Sequence, residues 1–180
     1  LLRNADLGFY EEFLKSLAMQ ARYLRAMTRG METGEAKLRC QIAIAFAALS
    51  LPVTQGRLRS ATRNLERELK AQILPDGIHI SRNPEIVLEI LTDLLPLRQT
   101  YANQSETPPA PLVAAIERLL PALRFFRHAD GSLARFNGAG FAMQERIAAV
   151  LRYDESAGAP LSSAPHGGYQ RLATGSVCLI

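Results

Sequence analysis

Apolar residues recurring at steps of three and four, cut by glycine and proline, constrain this chain more than any other feature. From Asp6 to about Arg29, the residues Phe9, Phe13, Leu17, Ala21, Leu24 and Met27 fall on one helical face. Gly30 and the Thr33-Gly34 pair end that segment. A more apolar stretch, residues 35–51, runs up to Pro52 as a deeper partner helix would. A third pattern, residues 55–72, sets Leu58, Ala61, Leu65, Leu69 and Ile73 opposite Arg59, Arg63, Glu66, Arg67 and Lys70. Asn83 can cap a fourth helix with Pro84 at its first position, where a missing N–H costs nothing. Pro96 is expected to kink or shorten it, and the polar run 101–111 to form a loop. Further helices are predicted over about 112–126 and 142–153. Helices joined by short links predict a mainly α fold of antiparallel hairpins, a pattern shared by bundles, solenoids and closed toroids.

The tail has another character. Residues 155–166 are rich in Gly, Ala, Ser and Pro, and YQRL and SVCLI then flank Ala173-Thr174-Gly175. Two short runs around a turn signal predict a β-hairpin, and a lone hairpin is marginal in water. The expected organisation is a helical domain over 1–154 and, over 155–180, a linker with the first hairpin of a β domain that continues beyond. The chain opens on Leu1 rather than Met, so its true start is expected to lie earlier.

Charge sets limits on partners. The net charge of +4 and pI near 9.4 lean toward anionic ligands, and most of the cations are Arg, whose fork suits carboxylate or sulfate. They lack the dense clustering of a nucleic-acid binder, and no apolar run approaches the roughly 20 residues of a membrane span. Nucleic acid and membrane are therefore not expected as partners. Cys40 and Cys178 have no metal-ligand spacing, and the compartment is open between periplasm and cytoplasm.

Two loops concentrate the chemistry. ILPDGIHISRNPEI (73–86) is echoed by HADGSLARFNG (128–138), so that Asp76-Gly77 and Asp130-Gly131 lie 54 residues apart. That is about one helical hairpin, which would bring both loops to the same end as a joint polar cleft. Asp and Gly make tight turns wherever chains reverse, which accounts for those four residues. The Ile-His-Ile-Ser alternation sets His79 and Ser81 on the face opposite the isoleucines, and Arg82 and Asn83 follow. His128 ends a helix, where a cationic imidazole would also suit the dipole, and Arg127, Arg135 and Asn137 lie around it. No GxSxG, P-loop or GxGxxG is present.

These loops, with SAPHGGYQRL in the tail, resemble the heparinase II/III-like family of bacterial proteins. The resemblance implies part of an α/α toroid followed by a β-sandwich, and a polysaccharide lyase that cleaves uronic-acid polymers by β-elimination. It implies His79 as base with His128 as second choice, and Asn83 and Arg82 as donors to the developing enediolate. Ser81, Arg127, Arg135 and Asn137 would hold an acidic polysaccharide. No cofactor is expected within these residues, and a metal would belong to the following β domain. Better-characterised members carry a Tyr just behind the loop, where this chain has Asn83, Pro84 and Glu85; the nearest downstream is Tyr101. That departure favours one alternative, a sugar-binding or scaffold toroid without chemistry; for a second, a helical-repeat interaction module, the alternating apolar faces would suffice.

Overall fold

The computed structural model describes residues 7–154, 159–174 and 177–180. They form α1 (Leu7–Met27), α2 (Glu35–Ser50), α3 (Gln55–Gln72), α4 (Pro84–Asn103), α5 (Ala110–Phe125) and α6 (Gln144–Leu151). Four short strands follow: β1 (Ser163–Ala164), β2 (Tyr169–Gln170), β3 (Leu172–Thr174) and β4 (Val177–Leu179). The mainly helical expectation holds at that level. Ring closure and a sandwich are not seen among the described residues.

The core lies where α2, α3, α4 and α5 meet, α2 touching α3 and α4, and α5 touching the same two. Leu38, Leu65, Leu69, Leu88, Ile90, Leu91, Leu94 and Leu119 are wholly or almost wholly buried there. α4 packs against α2, α5 and α6, and α5 against α3, α4 and α6, so both are enclosed on several sides. Arg39 bridges Glu89 and Asp93 at 3.6 Å each, and Arg146 also pairs with Glu89, so a polar network joins α2, α4 and α6. Burial pushes the Asp93 carboxyl up, with Arg39 opposing the shift.

Three local outcomes differ from the pattern in the sequence. α4 does not stop near Pro96 but continues to Asn103. Tyr101 explains why: it is 2% exposed, its hydroxyl lies 2.9 Å from Thr62 Oγ1, and that anchor on α3 holds the final turns helical. α5 likewise passes through Pro121. On α1 the apolar face is largely uncovered, with Phe9 54% exposed and only Ala21 buried. Leu14 and Ala18 already lie beside Leu51 and Val53, just past the end of α2, so the turns before Leu14 project beyond it.

The hairpin predicted around Gly175 is present as β3 paired antiparallel with β4, Leu172 opposite Leu179. β1 and β2 form a second small hairpin, Ala164 opposite Tyr169.

Candidate functional site

The two echoing loops are one structure built twice. After α3, Leu74 N–H donates to Ile78 O at 2.9 Å; after α5, His128 N–H donates to Ser132 O at 2.8 Å. Gly77 N–H to Leu74 O is matched by Gly131 N–H to His128 O, and Ile80 N–H to Gln72 O by Ala134 N–H to Phe126 O. In each, the Asp carboxylate accepts from the amide two residues on, at 3.3 Å for Asp76 and 2.8 Å for Asp130. Both glycines sit at positive φ, +81° and +88°, a region open to Gly at little cost. The chain thus contains two helix–loop–helix units built alike, α3–α4 and α5–α6.

The loops do come together, but the tail fills the space between them. Tyr169 on β2 donates its hydroxyl to Arg82 O at 2.9 Å, and Asn137 Nδ2 donates both to Tyr169 Oη at 2.6 Å and to Arg82 O at 3.0 Å. Arg82 stacks its guanidinium 5.1 Å from the Tyr169 ring centre, and Phe126 and Phe136 pack against the same ring. Arg82 and Asn137 both adopt left-handed backbone, φ +60° and +51°. Asn tolerates that region and Arg less so, at about 1–2 kcal/mol; the two bonds to the Arg82 carbonyl help to hold it there. Gly167 N–H donates to Asp76 Oδ2 at 2.7 Å, and a Cβ on Gly167 would lie 2.4 Å from Ile78 Cδ1. The His-Gly-Gly turn is therefore laid directly onto the first loop.

His79 lies below this surface. It is 1% exposed, with Nδ1 3.1 Å from the Ser81 amide and 2.8 Å from Ser81 Oγ, and Nε2 2.8 Å from Gln72 Oε1. The Ser81 amide can only donate, so Nδ1 accepts and the proton sits on Nε2, which donates to Gln72. Burial lowers the pKa to about 4, so the ring is neutral at physiological pH. Gln72 Nε2 in turn donates to Glu68 Oε2 at 3.0 Å, and Glu68 pairs with Lys37 at 3.3 Å. A continuous polar chain thus crosses the core from Ser81 to Lys37.

Each remaining candidate has a definite place. Asn83 caps α4, accepting from Glu85 N–H at 2.8 Å, and Glu85 accepts from Gly140 N–H at 2.7 Å. Ser81 and Arg135 are exposed, and Arg135 stacks over Phe141 at 5.2 Å. His128 and Arg127 are half-buried beside the second turn, and Arg127 Nε is enclosed with no hydrogen-bond partner. The Ser132 hydroxyl and amide hold the Asp130 carboxyl below the usual carboxylate range. No group of three His, Cys, Asp or Glu among the described residues could hold a metal. Reading the sequence missed Tyr169, Gln72 and Glu68 as members of this assembly. The signal for the last two was present: both fall on the same stripe of α3 as Leu65 and Leu69, where a polar residue needs a partner.

A curated relative, FtsZ-localized protein C of Caulobacter vibrioides (strain NA1000 / CB15N), is 37% identical over 178 residues, 98% of this chain. The chain spans 29% of that relative's length. No family model and no solved structure matches. The relative's name speaks of FtsZ and not of polysaccharide. This corrects the resemblance to heparinase II/III-like proteins, and with it the lyase activity and the acidic polysaccharide as partner, and it gives no specific support to the sugar-binding, scaffold and interaction-module alternatives. Likeness along 178 residues outweighs likeness in three short motifs. The parts in β-elimination given to His79, Asn83, His128 and Arg82 lose their premise.

Proposed function

We propose that this chain is the helical part of a bacterial cell-division protein that localises with FtsZ in the cytoplasm, and that the double-loop edge is one surface through which it engages the division apparatus. The 37% identity along nearly the whole chain to a protein named for FtsZ localisation carries this reading. The edge supports it physically. Ser81, Arg82, Arg135 and Phe141 are exposed there on backbone pinned by two Asx turns, a helix cap and the Tyr169 clasp. Arg and aromatic side chains presented on rigid elements are what partner surfaces use as anchors, since little entropy is left to lose on binding. Among the described residues no helix is long and apolar enough to cross a membrane. In the longer parent we extend the architecture to an α/α toroid, with β3–β4 opening a β-sandwich.

The test is to image the full-length protein, fused to a fluorescent reporter, alongside FtsZ. Signal that tracks the FtsZ ring and disperses on FtsZ depletion is expected, and uniform signal under both conditions would overturn the reading. Arg82→Ala with Arg135→Ala should weaken the coincidence. Undiminished localisation in that variant would remove the edge from the proposal and leave the division role standing.

A further inference from the structure

We infer that the cleft between α1, α2 and α3 is a binding site for an oligophosphate group, carried by a soluble metabolite or by a lipid headgroup with more than one phosphate. Charge is unevenly divided along the chain. Residues 7–72 hold 11 basic and 6 acidic side chains, while residues 73–180 hold 9 and 10, so the net positive charge resides in the first three helices. Six of those cations, Arg22, Arg25, Arg29, Lys37, Arg57 and Arg67, line one cleft of about 720 Å³. Lys37 and Arg67 share a single carboxylate, Glu68, at 3.3 and 4.0 Å. The other four form no ion pair among the described residues.

Like charges gathered in one concavity repel each other and oppose folding, so packing gives no reason to place them there. A visiting polyanion does. Five of the six are Arg, whose planar fork meets phosphate oxygens with paired hydrogen bonds. Gln41, 3% exposed, also lines the cleft with Oε1 lacking any hydrogen-bond partner. That oxygen only accepts, so it calls for a donor such as a hydroxyl on the group that carries the phosphates, and the case for phosphate rests on the gathered cations. Ser60 and Asn64 on α3 add neutral polar groups to the same wall. The volume is that of a small-molecule site, and a compact cation-lined cleft suits a dense cluster of negative charge better than an extended acidic peptide.

The experiment uses the full-length protein and inorganic tripolyphosphate, with binding followed by calorimetry at low and at physiological ionic strength. Saturable binding that weakens with salt is expected. Arg25→Ala with Arg57→Ala should weaken it by about tenfold or more, as loss of charge-assisted contacts to phosphate requires. Arg59→Ala with Arg63→Ala removes the same charge from α3 outside the cleft and should leave the affinity within about twofold. Equal weakening by both pairs would show diffuse charge and overturn the inference, as would binding of neither tripolyphosphate nor cardiolipin vesicles. Cardiolipin vesicles are the second arm: capture dependent on Arg25 and Arg57 without binding of free tripolyphosphate assigns the phosphates to a lipid. Binding of poly-glutamate that tripolyphosphate cannot displace would also overturn it. Unchanged thermal midpoints in both variants establish that the losses are not losses of fold.

Discussion

Acid should weaken this fold first at His79. The imidazole is 1% exposed, with Nδ1 receiving the Ser81 amide and Nε2 committed to Gln72, and burial brings its pKa from 6.5 to about 4. A proton arriving at Nδ1 would set donor against donor inside the core. In the unfolded chain the same ring takes its proton near pH 6.5. Between the two values the unfolded state therefore binds more protons, and stability rises with pH across that window. With each pKa unit equal to about 1.36 kcal/mol, the contribution is whole above pH 6.5 and falls by about 3 kcal/mol as the pH reaches 4. That is a large part of the roughly 5–15 kcal/mol that holds a typical domain together. The assay is urea unfolding followed by circular dichroism from about pH 7.5 to about pH 4.5, for wild type and His79→Gln. The Gln amide can still donate to Gln72 and accept from Ser81, and it does not titrate. The variant should start about 1–2 kcal/mol less stable from poorer geometry, then lose less with acid so that the two curves converge. His128 and His166 are present in both proteins and cancel. Parallel curves would refute the reasoning, because they would mean that His79 takes its proton equally well folded and unfolded.

Other consequences can be checked by similar means. Tyr169→Phe removes two hydrogen bonds at the loop edge and should cost about 1–2 kcal/mol locally, seen as faster hydrogen exchange at Gly167 N–H with little change at core amides. Gly77→Ala should be far worse than Gly131→Ala despite the shared Asp-Gly motif. A Cβ at 77 would lie 1.9 Å from Arg118 O, whereas at 131 it meets only side chains, Arg127 at 3.3 Å and Gln144 at 3.6 Å. Losses of at least about 3 and about 1–2 kcal/mol respectively are expected in denaturant unfolding. Glu68→Ala leaves Lys37 and the Gln72 amide without their acceptor and should cost about 2–4 kcal/mol, against less for Glu66→Ala on the more open side of the same helix.

Much of the helical frame was legible because it follows from local rules. The three- and four-residue spacing placed α2 and α3 to within a residue, and Asn83-Pro84 marked the start of α4. What was not legible depends on residues distant in the chain. Pro96 reads as a kink or an early end until Tyr101 is seen to anchor on Thr62, 39 residues earlier. The apolar face of α1 reads as buried until its first turns are seen to run past the end of α2. At the loops, periodicity brought the two turns to the same end but could not show Tyr169 closing the space between them, since that contact joins residues 87 apart. The alternation that set His79 and Ser81 opposite the isoleucines does not carry through, since Ile78 and His79 are buried while Ile80 and Ser81 are exposed; the turn still brings His79 within 2.8 Å of Ser81. Nor could it tell that His79 points inward onto Gln72.

The repetition itself explains why a motif can look like chemistry. A helix that must reverse and enter a second helix needs a residue whose carboxylate closes an Asx turn, a glycine at positive φ, a residue whose backbone pairs back onto the helix end, and a cap for the next helix. Asp76, Gly77, His79 and Asn83 meet those four needs in the first unit, with Pro84 fixed at the first helical position. Asp130, Gly131 and Leu133 meet the first three again in the second, and there the paired position is an apolar leucine. Since the same turn closes with leucine as with histidine, imidazole is not required by the turn. What His79 adds is its pair of bonds to Ser81 and Gln72, which fasten the loop to the polar chain through the core. Of DG-x-H-x-SRNP, the turn and the cap account for Asp76, Gly77, Asn83 and Pro84, and the second unit closes the same turn keeping only the Asp-Gly pair and an Asn. Similarity confined to such positions therefore reports a shared turn, and function has to be sought where the two units differ: in the exposed side chains of the loop edge and in the cationic cleft at the other end of the Lys37–Ser81 chain.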